Sequence, residues 1–246
     1  APYHRFAAKR ARSLSDLMVA VGRCRARRLN ELSVRCALIA SEVLLDQGPY
    51  ARGQSLLRPL SRLRGLGAWE KGQIEYMLGR YSRHLGKASE SLLHLRKAVQ
   101  LFESIGAERA MQDAWVERVY TATDLGENGI ADESMASARE LGATTPRRQG
   151  AQLRSQGYAL AQRGDLSSAA ESLLRSIPLF RAAGDTAQLI GVQTSLGVIA
   201  FRQGRLAAAQ GHYIGALRLA QKQGVLSTVD HLWMNLGVIA IYSGQC

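Results

Sequence analysis

The chain has 246 residues, 46% of them hydrophobic and only 6% aromatic, and it carries a formal net charge of +12 at pH 7. No stretch of about 18 apolar residues is present, which excludes a membrane-spanning helix, and the N-terminus lacks the continuous apolar core of a secretory signal. Three cysteines, Cys24, Cys36 and Cys246, show no CxxC spacing and indicate a reducing compartment, so we expect a cytoplasmic protein.

The first predicted element is a basic N-terminal segment, residues 1–29, with one helix over 13–29. Ser13 is the predicted N-cap, with Asp16 three residues later as in a capping box. We expect this helix either to cap the rest of the chain or to link it to an upstream domain. Its charge indicates a patch for nucleic acid, anionic lipid or an acidic partner, or else a solvated arginine-rich face. The residues of this basic patch are Arg5, Lys9, Arg10, Arg12, Arg23, Arg25, Arg27 and Arg28.

Eleven glycines recur at intervals near 20 residues along the rest of the chain. Glycine commonly ends a helix because it adopts the left-handed conformation without steric cost. The spacing therefore predicts helices that alternate with turns, in units of about 40 residues. The eleven are Gly48, Gly67, Gly86, Gly106, Gly126, Gly142, Gly164, Gly184, Gly204, Gly224 and Gly244.

Each unit is predicted to hold two helices, an A-helix followed by a B-helix. Residues 30–246 then contain five full helix pairs and the first helix of a sixth. That last helix would expose Leu236, Val238, Ile239 and Ile241, so we expect the natural protein to continue past Cys246, and the exposed helix could support oligomerisation. A-helices are predicted over 30–46, 68–85, 107–125, 146–163, 186–203 and 226–243, and B-helices over 50–64, 87–104, 129–141, 166–182 and 206–222.

Local signals support several of these boundaries. Thr145 followed by Pro146 predicts an N-cap with proline at the first helical position, and Asp165 and Asp185 stand where helices should begin. The glycine intervals become irregular around Gly142, with gaps of 16 and 22 residues. We therefore expect a short third B-helix, and we expect any bend of the array to lie there.

Two segments near the C-terminus carry a repeated motif. Residues 194–204 read TSLGVIAFRQG and residues 234–244 read MNLGVIAIYSG. This pattern resembles the tetratricopeptide repeat, which has W-x2-L-G-x2-Y in its first helix and small residues with an aromatic residue in its second. The resemblance implies an all-α fold, a right-handed superhelical solenoid of antiparallel helix pairs. The matching positions are Leu78-Gly79, Leu196-Gly197, Leu236-Gly237, Trp115, Trp233, Ala131, Ala169, Ala209, Tyr213, Ala98, Ala138 and Ala216.

The chain also departs from the tetratricopeptide pattern. Its period is nearer 40 than 34 residues, and Ala200 and Ala240 stand in place of the tyrosine of the first helix. Repeats of this longer kind are similar to those of bacterial transcriptional regulators and signal-transducing ATPases.

Motifs for catalysis or metal binding are absent from the sequence. It contains no GxxxxGK[ST] loop, no HExxH, no GxSxG and no paired-cysteine zinc spacing. We therefore expect no catalytic residue, no cofactor and no metal site.

The family resemblance also implies a binding groove, because A-helices line the concave face of tetratricopeptide arrays. Tyrosines there would offer contact area and a hydroxyl, and arginines would bind carboxylates in a fork. An acidic band of Asp113, Glu117 and Asp124 lies in the middle of this lining. The groove residues carried over are Tyr76, Arg80, Arg83, His84, Tyr120, Arg154, Tyr158, Phe201, Arg202, Asn235 and Tyr242.

These features favour a non-catalytic scaffold that binds a protein, a peptide or a small effector in its groove. We expect it to be the sensor or partner-docking region of a larger bacterial regulatory protein, with no membrane partner. The alternative is a helical repeat protein that associates with nucleic acid through its basic N-terminal segment. The two differ in salt dependence, because phosphate contacts release counterions.

Overall fold

The computed structural model describes residues 2–27 and 29–244, with side chains from residue 13 onward apart from those of residues 47, 226 and 227. Over these ranges the chain forms twelve α-helices, one 3₁₀ helix and no strand, which confirms the expected all-α class. After a long first helix, A- and B-helices alternate. The helices are α1 (Pro2–Ala26), the A-helices α2 (Asn30–Gln47), α4 (Ala68–His84), α6 (Glu108–Asp124), α8 (Pro146–Gln162), α10 (Thr186–Arg202) and α12 (Leu226–Tyr242), and the B-helices α3 (Tyr50–Leu57), α5 (Ala88–Glu103), α7 (Asn128–Glu140), α9 (Leu166–Ala182) and α11 (Leu206–Gln223), with the 3₁₀ helix at Leu60–Arg62.

The boundaries of the A- and B-helices agree with the prediction to within two residues, except at the end of α3. It ends at Leu57, seven residues before the predicted end, and the 3₁₀ helix follows. Pro59 explains the difference, since proline has no N–H with which to continue the i→i−4 hydrogen bonds of the α-helix. The predicted short third B-helix is confirmed, because α7 has only 13 residues.

Ten of the eleven spaced glycines have a positive φ at the end of a helix, as predicted. Gly67 is the exception, with φ −68° and ψ 168° at the start of α4. The left-handed residue of that turn is Gly65, with φ 80°. The predicted role of Gly67 was therefore wrong, although a turn does lie at 65–67.

The three predicted N-caps downstream of residue 140 are confirmed. The Thr145 hydroxyl accepts a hydrogen bond from the Arg148 amide at 3.4 Å, with Pro146 as the first residue of α8. The carboxylates of Asp165 and Asp185 accept from the amides of Ser168 and Gln188 at 3.0 and 3.1 Å. Each cap satisfies an amide that the first helical turn leaves without a partner.

The A- and B-helices of a pair approach closely at glycines of the A-helix. A β-carbon on Gly79, Gly157 or Gly197 would lie 2.7, 2.9 or 2.5 Å from a side-chain carbon of the residue sixteen positions later. The side chains concerned belong to Leu95, Leu173 and Tyr213, in α5, α9 and α11 respectively. Each of these three glycines therefore forms a notch that receives one large side chain of the next helix.

The small residues matched to the repeat pattern lie in the same helix–helix contacts. Alanine at these positions permits close backbone approach and leaves little room for a larger side chain. All six are almost fully buried: Ala98, Ala131, Ala138, Ala169, Ala209 and Ala216.

The N-terminal helix differs from the prediction. It begins at Pro2 and ends at Ala26, so Ser13 lies inside the helix and is not its cap. Leu14 and Val21 are buried in one apolar cluster with Val34 and Leu44 of α2. The described part of α1 therefore packs on the first helix pair.

The chain divides into two compact units. The N-terminal unit is Ala7–Leu141, and the C-terminal unit is Gly142–Cys246, with which Ala1–Phe6 are grouped. The division falls at the Gly142 irregularity in the glycine spacing. Among the described residues, no helix is long and apolar enough to cross a bilayer.

Candidate functional site

The predicted groove residues of the N-terminal unit lie together on one face of its A-helices. Spacings of four and three residues place Tyr76, Arg80 and Arg83 on one stripe of α4. The same periodicity places Asp113, Glu117, Tyr120 and Asp124 on one stripe of α6. We call this surface the A-helix face, defined by Glu42, Asp46, Tyr76, Arg80, Arg83, His84, Asp113, Glu117, Tyr120 and Asp124 of α2, α4 and α6.

Ion pairs connect the three A-helices across this face. Arg80 Nη1 lies 3.3 Å from Glu42 Oε1 of α2, and Arg80 Nε lies 3.9 Å from Glu117 Oε2 of α6. Arg83 Nη1 lies 3.4 Å from Glu117 Oε1, and its Nε donates to Asp124 Oδ2 at 2.7 Å. Both guanidinium groups are thus engaged by carboxylates of the neighbouring A-helices.

Each of the two arginines also lies against a tyrosine ring. The guanidinium carbon of Arg80 is 5.6 Å from the ring centroid of Tyr76, and that of Arg83 is 4.9 Å from the ring centroid of Tyr120. Such cation–π contacts add to the ion pairs in fixing the guanidinium planes. The face therefore presents two arginines and the half-buried Tyr76, supported by the buried Tyr120, in positions that are set before any ligand arrives.

Tyr76 lies at the acidic centre of the face. Burial raises the pKa of its phenol above the ordinary value; Arg80 opposes this, and the carboxylates of Glu117, Asp113 and Glu42 reinforce it. A carboxylate near a phenol disfavours its ionisation because like charges repel. Tyr76 is therefore a neutral phenol, and the charged groups that act on it are three carboxylates and one guanidinium.

His84 forms the C-terminal edge of the face. Its imidazole stacks on the ring of Tyr50 in α3, with centroids 4.7 Å apart and planes 16° from parallel. Burial lowers the pKa of His84 to about 4; Glu117 opposes this, while Arg83 and Arg80 reinforce it. Part of the imidazole surface stays open to solvent, which limits the contribution of this shift to stability.

The predicted groove residues of the C-terminal unit have separate partners. Arg154 donates to Gln188 Oε1 at 2.8 Å and packs on Gly191, where a β-carbon would lie 2.5 Å from the guanidinium. Arg202 donates to the Ala161 carbonyl in the last turn of α8 at 2.6 Å. The negative end of the helix dipole stabilises a cation at this position. Tyr158 and Asn235 are half-buried.

Aromatic contact links the last two A-helices. Phe201 of α10 and Tyr242 of α12 meet edge to face, with ring centroids 5.4 Å apart. The two rings are not part of the Arg154 or Arg202 contacts given above.

Of the four α12 residues predicted to be exposed, Val238 and Ile241 are exposed, whereas Leu236 and Ile239 are not. Ile239 is only 2% exposed and Leu236 packs against the α10–α12 cluster, so the expectation that both are bare was wrong. The exposed residues of α12 include Trp233 at 56%, Met234 at 62%, Ile241 at 66% and Val238 at 36%. The exposed side of α12 therefore includes Trp233 and Met234, which were not predicted.

The basic N-terminal patch is described only in part. Arg23, Arg25 and Arg27 are exposed at the end of α1. Arg28 lies outside the described residues, and so do the side chains of Arg5, Lys9, Arg10 and Arg12. No group of three or more potential metal ligands occurs among the described side chains.

Sequence reasoning missed Glu42 and Asp46 of the A-helix face, and Tyr50 beside it. Glu42 pairs with Arg80 and Tyr50 stacks on His84. Glu42 precedes Arg80 by 38 residues, which is one repeat, so extending the repeat alignment back to the first pair would have found it. Tyr50 begins a B-helix, and nothing in the A-helix pattern points to it.

No protein-family model matches this sequence, and no curated protein matches it. Solved structures do match. They include a Rap protein complexed with Competence and Sporulation Factor (13% identity, 99% of this chain and 73% of that one, TM-score 0.71) and a thermophilic tetratricopeptide-repeat protein of Thermus thermophilus (18%, 85% and 99%, TM-score 0.60). A signal transduction ATPase with numerous domains and a tetratricopeptide repeat sensor, from Pyrococcus horikoshii, matches over 87% of this chain and 34% of its own (14%, TM-score 0.56).

At these low sequence identities, the structural matches establish the fold alone. The helix pairs, the glycine notches, the buried alanines and the structural matches agree with one another. The chain therefore has the fold of a tetratricopeptide-repeat protein.

Proposed function

We propose that this chain is a non-catalytic scaffold that binds a protein or peptide segment on its A-helix face. The observation that carries the proposal is the preformed cluster around Arg80 and Arg83. Two guanidinium groups and two tyrosine rings are held in place by partners from three helices. Groups fixed in advance lose less conformational entropy when a ligand binds.

We propose further that the chain serves as the sensor or partner-docking part of a larger bacterial, cytoplasmic regulatory protein. The similar Rap structure contains Competence and Sporulation Factor, and the similar Pyrococcus protein contains a tetratricopeptide repeat sensor. A bound segment would act by favouring one arrangement of the regulator over another. These likenesses support the proposal at the level of fold.

Peptide selection tests the proposed face. Peptides selected from a random library on the immobilised chain are synthesised, and their binding is measured by calorimetry. We expect saturable binding that Tyr76→Ala weakens by about tenfold, since a well-packed aromatic contact contributes about 1.4 kcal/mol or more. Tyr242→Ala, which removes an exposed tyrosine of the C-terminal unit, is the matched control and should change little.

Two results would contradict the proposed face. Binding that responds to Tyr242→Ala and not to Tyr76→Ala would place the site on the C-terminal unit. Peptides whose binding responds to neither variant would remove both sets of predicted groove residues from the site.

Nucleic-acid binding through α1 is the second candidate, because Arg23, Arg25 and Arg27 are exposed. It predicts affinity for a DNA duplex that falls steeply as salt rises, and a loss of that affinity when all three arginines are changed to glutamine. No shift of a labelled duplex at low salt would rule it out.

A further inference from the structure

The charge of the A-helix face is opposite to the charge of the chain. The chain carries +12, yet α6 and α7 with the turn between them hold eight Asp and Glu residues against three Arg. On the A-helix face, five carboxylates accompany two guanidinium groups. Arg109, one turn before Asp113 on the same side of α6, reduces the negative excess to two.

The arginines of the face are poorly placed to receive an acidic ligand. Asp124 already accepts from Arg83 at 2.7 Å, and Glu117 lies within 4 Å of both arginines. An incoming carboxylate would have to displace one of these groups and leave it beside other carboxylates. Leaving a partly buried charge without its partner costs more free energy than a surface ion pair contributes.

The carboxylates are better placed for a cation, because a carboxylate can accept several hydrogen bonds at once and need not lose the partner it has. Glu42 is paired with Arg80 at 3.3 Å and is still 58% exposed at the edge of the face. Asp113 lies one turn from Glu117 on the same stripe of α6. Tyr76 belongs to α4, which contacts both α2 and α6. Its ring is half-buried and has the Arg80 guanidinium 5.6 Å from its centroid, and the part that stays exposed is a surface on which an alkyl stem can pack. A lysine or arginine side chain meets opposite charge and an aromatic surface at the same position.

We infer that the segment bound on the A-helix face is basic, and that it presents lysine or arginine to Glu42 and Asp113 over the Tyr76 ring. This inference rests on the proposed function, because it names the chemistry of the ligand at that same face. It also gives the face selectivity within a cationic protein. Basic segments are repelled by most of the chain and attracted here, which disfavours binding elsewhere.

Calorimetry with three peptides of equal length tests the inference at about 150 mM salt, where long-range charge effects are screened. One peptide is rich in lysine and arginine, one in glutamate, and one contains glycine and serine only. We expect saturable binding of the basic peptide. The double variant Glu42→Gln/Asp113→Asn should weaken it about fivefold, since two rim ion pairs together contribute about 1 kcal/mol.

The control is Glu171→Gln/Asp230→Asn, which removes the same two kinds of charge from exposed positions of the C-terminal unit. It should leave affinity unchanged. Glu42→Gln alone, at the exposed edge of the face, provides a milder variant should the double variant fail to fold by circular dichroism. We expect it to weaken binding about twofold.

The outcomes separate the ligand's charge from the function of the face. Equal weakening by the control variant would show unspecific charge attraction and overturn the inference. Binding of the glutamate peptide that Arg80→Gln weakens would overturn the inference and leave the proposed function standing. If no peptide binds in a way that any variant at the face alters, the proposed function falls as well.

Discussion

At the scale of single residues, the A-helix face shows how one side chain can serve two neighbours. Glu117 lies within reach of both Arg80 and Arg83, and each arginine also has a second carboxylate and a tyrosine ring. Because the groups are only partly exposed, these pairs are less screened than surface pairs. The consequence is a rigid local arrangement of connected ion pairs and ring contacts.

His84 provides a residue-scale prediction. Its pKa is lowered to about 4, so in the folded chain it stays neutral while the unfolded chain takes up a proton below about pH 6.5. The unfolded state therefore binds more protons between these values, and the contribution of His84 to stability, full above pH 6.5, is lost as pH falls towards 4. NMR titration of the imidazole, assigned with His84→Asn, should show a midpoint near 4.

Tyr50→Ala supplies the control for this titration. It removes the ring stacked on His84, so it should reduce burial and move the midpoint upward towards 6.5. A wild-type midpoint near 6.5, or one that Tyr50→Ala leaves in place, would contradict the account of the His84 environment.

At the scale of elements, the helix pair is held together by complementary surfaces, with glycine on one helix and a large side chain on the other. Two more glycines, Gly72 and Gly150, receive the rings of Phe102 and Phe180 from the ends of the following B-helices. Both phenylalanines are fully buried. A pair therefore has contacts near the middle and near the C-terminal end of its B-helix, which fixes the register of the two helices as well as their distance.

The repeated Leu-Gly-Val-Ile-Ala segment gives a matched pair of variants for this packing. At Gly197 a β-carbon would lie 2.5 Å from the ring of Tyr213, which is buried, whereas at Gly237 no atom lies within 4 Å. We expect Gly197→Ala to lower the free energy of unfolding by about 1–3 kcal/mol, because the notch is overfilled. Gly237→Ala should raise it by up to about 1 kcal/mol, because alanine favours the helix.

Urea unfolding followed by circular dichroism measures both effects. The sequence context of the two glycines is the same over five residues, so helix propensity changes equally in both variants. A shift of the same sign in the two variants would mean that Tyr213 does not set the requirement for glycine at position 197.

The glycine spacing made the helices predictable, because a left-handed helix end is a local requirement of the backbone. The α4 stripe of Tyr76, Arg80 and Arg83 was predictable for a similar reason, since helical periodicity alone places residues on one face. The partners that these residues have in other helices were not predictable from that periodicity. The exposed side of α12 was also misjudged, because the choice between Ile239 and Met234 depends on how α12 packs on α11.

At the scale of the whole molecule, the helix pairs make mostly local contacts. In such arrays stability is approximately a sum of repeat terms and nearest-neighbour terms. Here the chain also divides into two compact units at Leu141 and Gly142. A destabilising change in one unit should therefore affect that unit more than the other.

Tryptophan fluorescence can resolve this difference, because Trp69 and Trp115 lie in the N-terminal unit and Trp233 lies in the C-terminal unit. Trp233→Phe leaves reporters for the first unit, and Trp69→Phe/Trp115→Phe leaves one for the second. When Gly197→Ala is added to each background, we expect a lower urea midpoint from Trp233 and a smaller change from the other two. Equal shifts of the urea midpoint in both backgrounds would show that the 246 residues unfold as one cooperative body. The change at Gly197 would then destabilise α4 as much as α12.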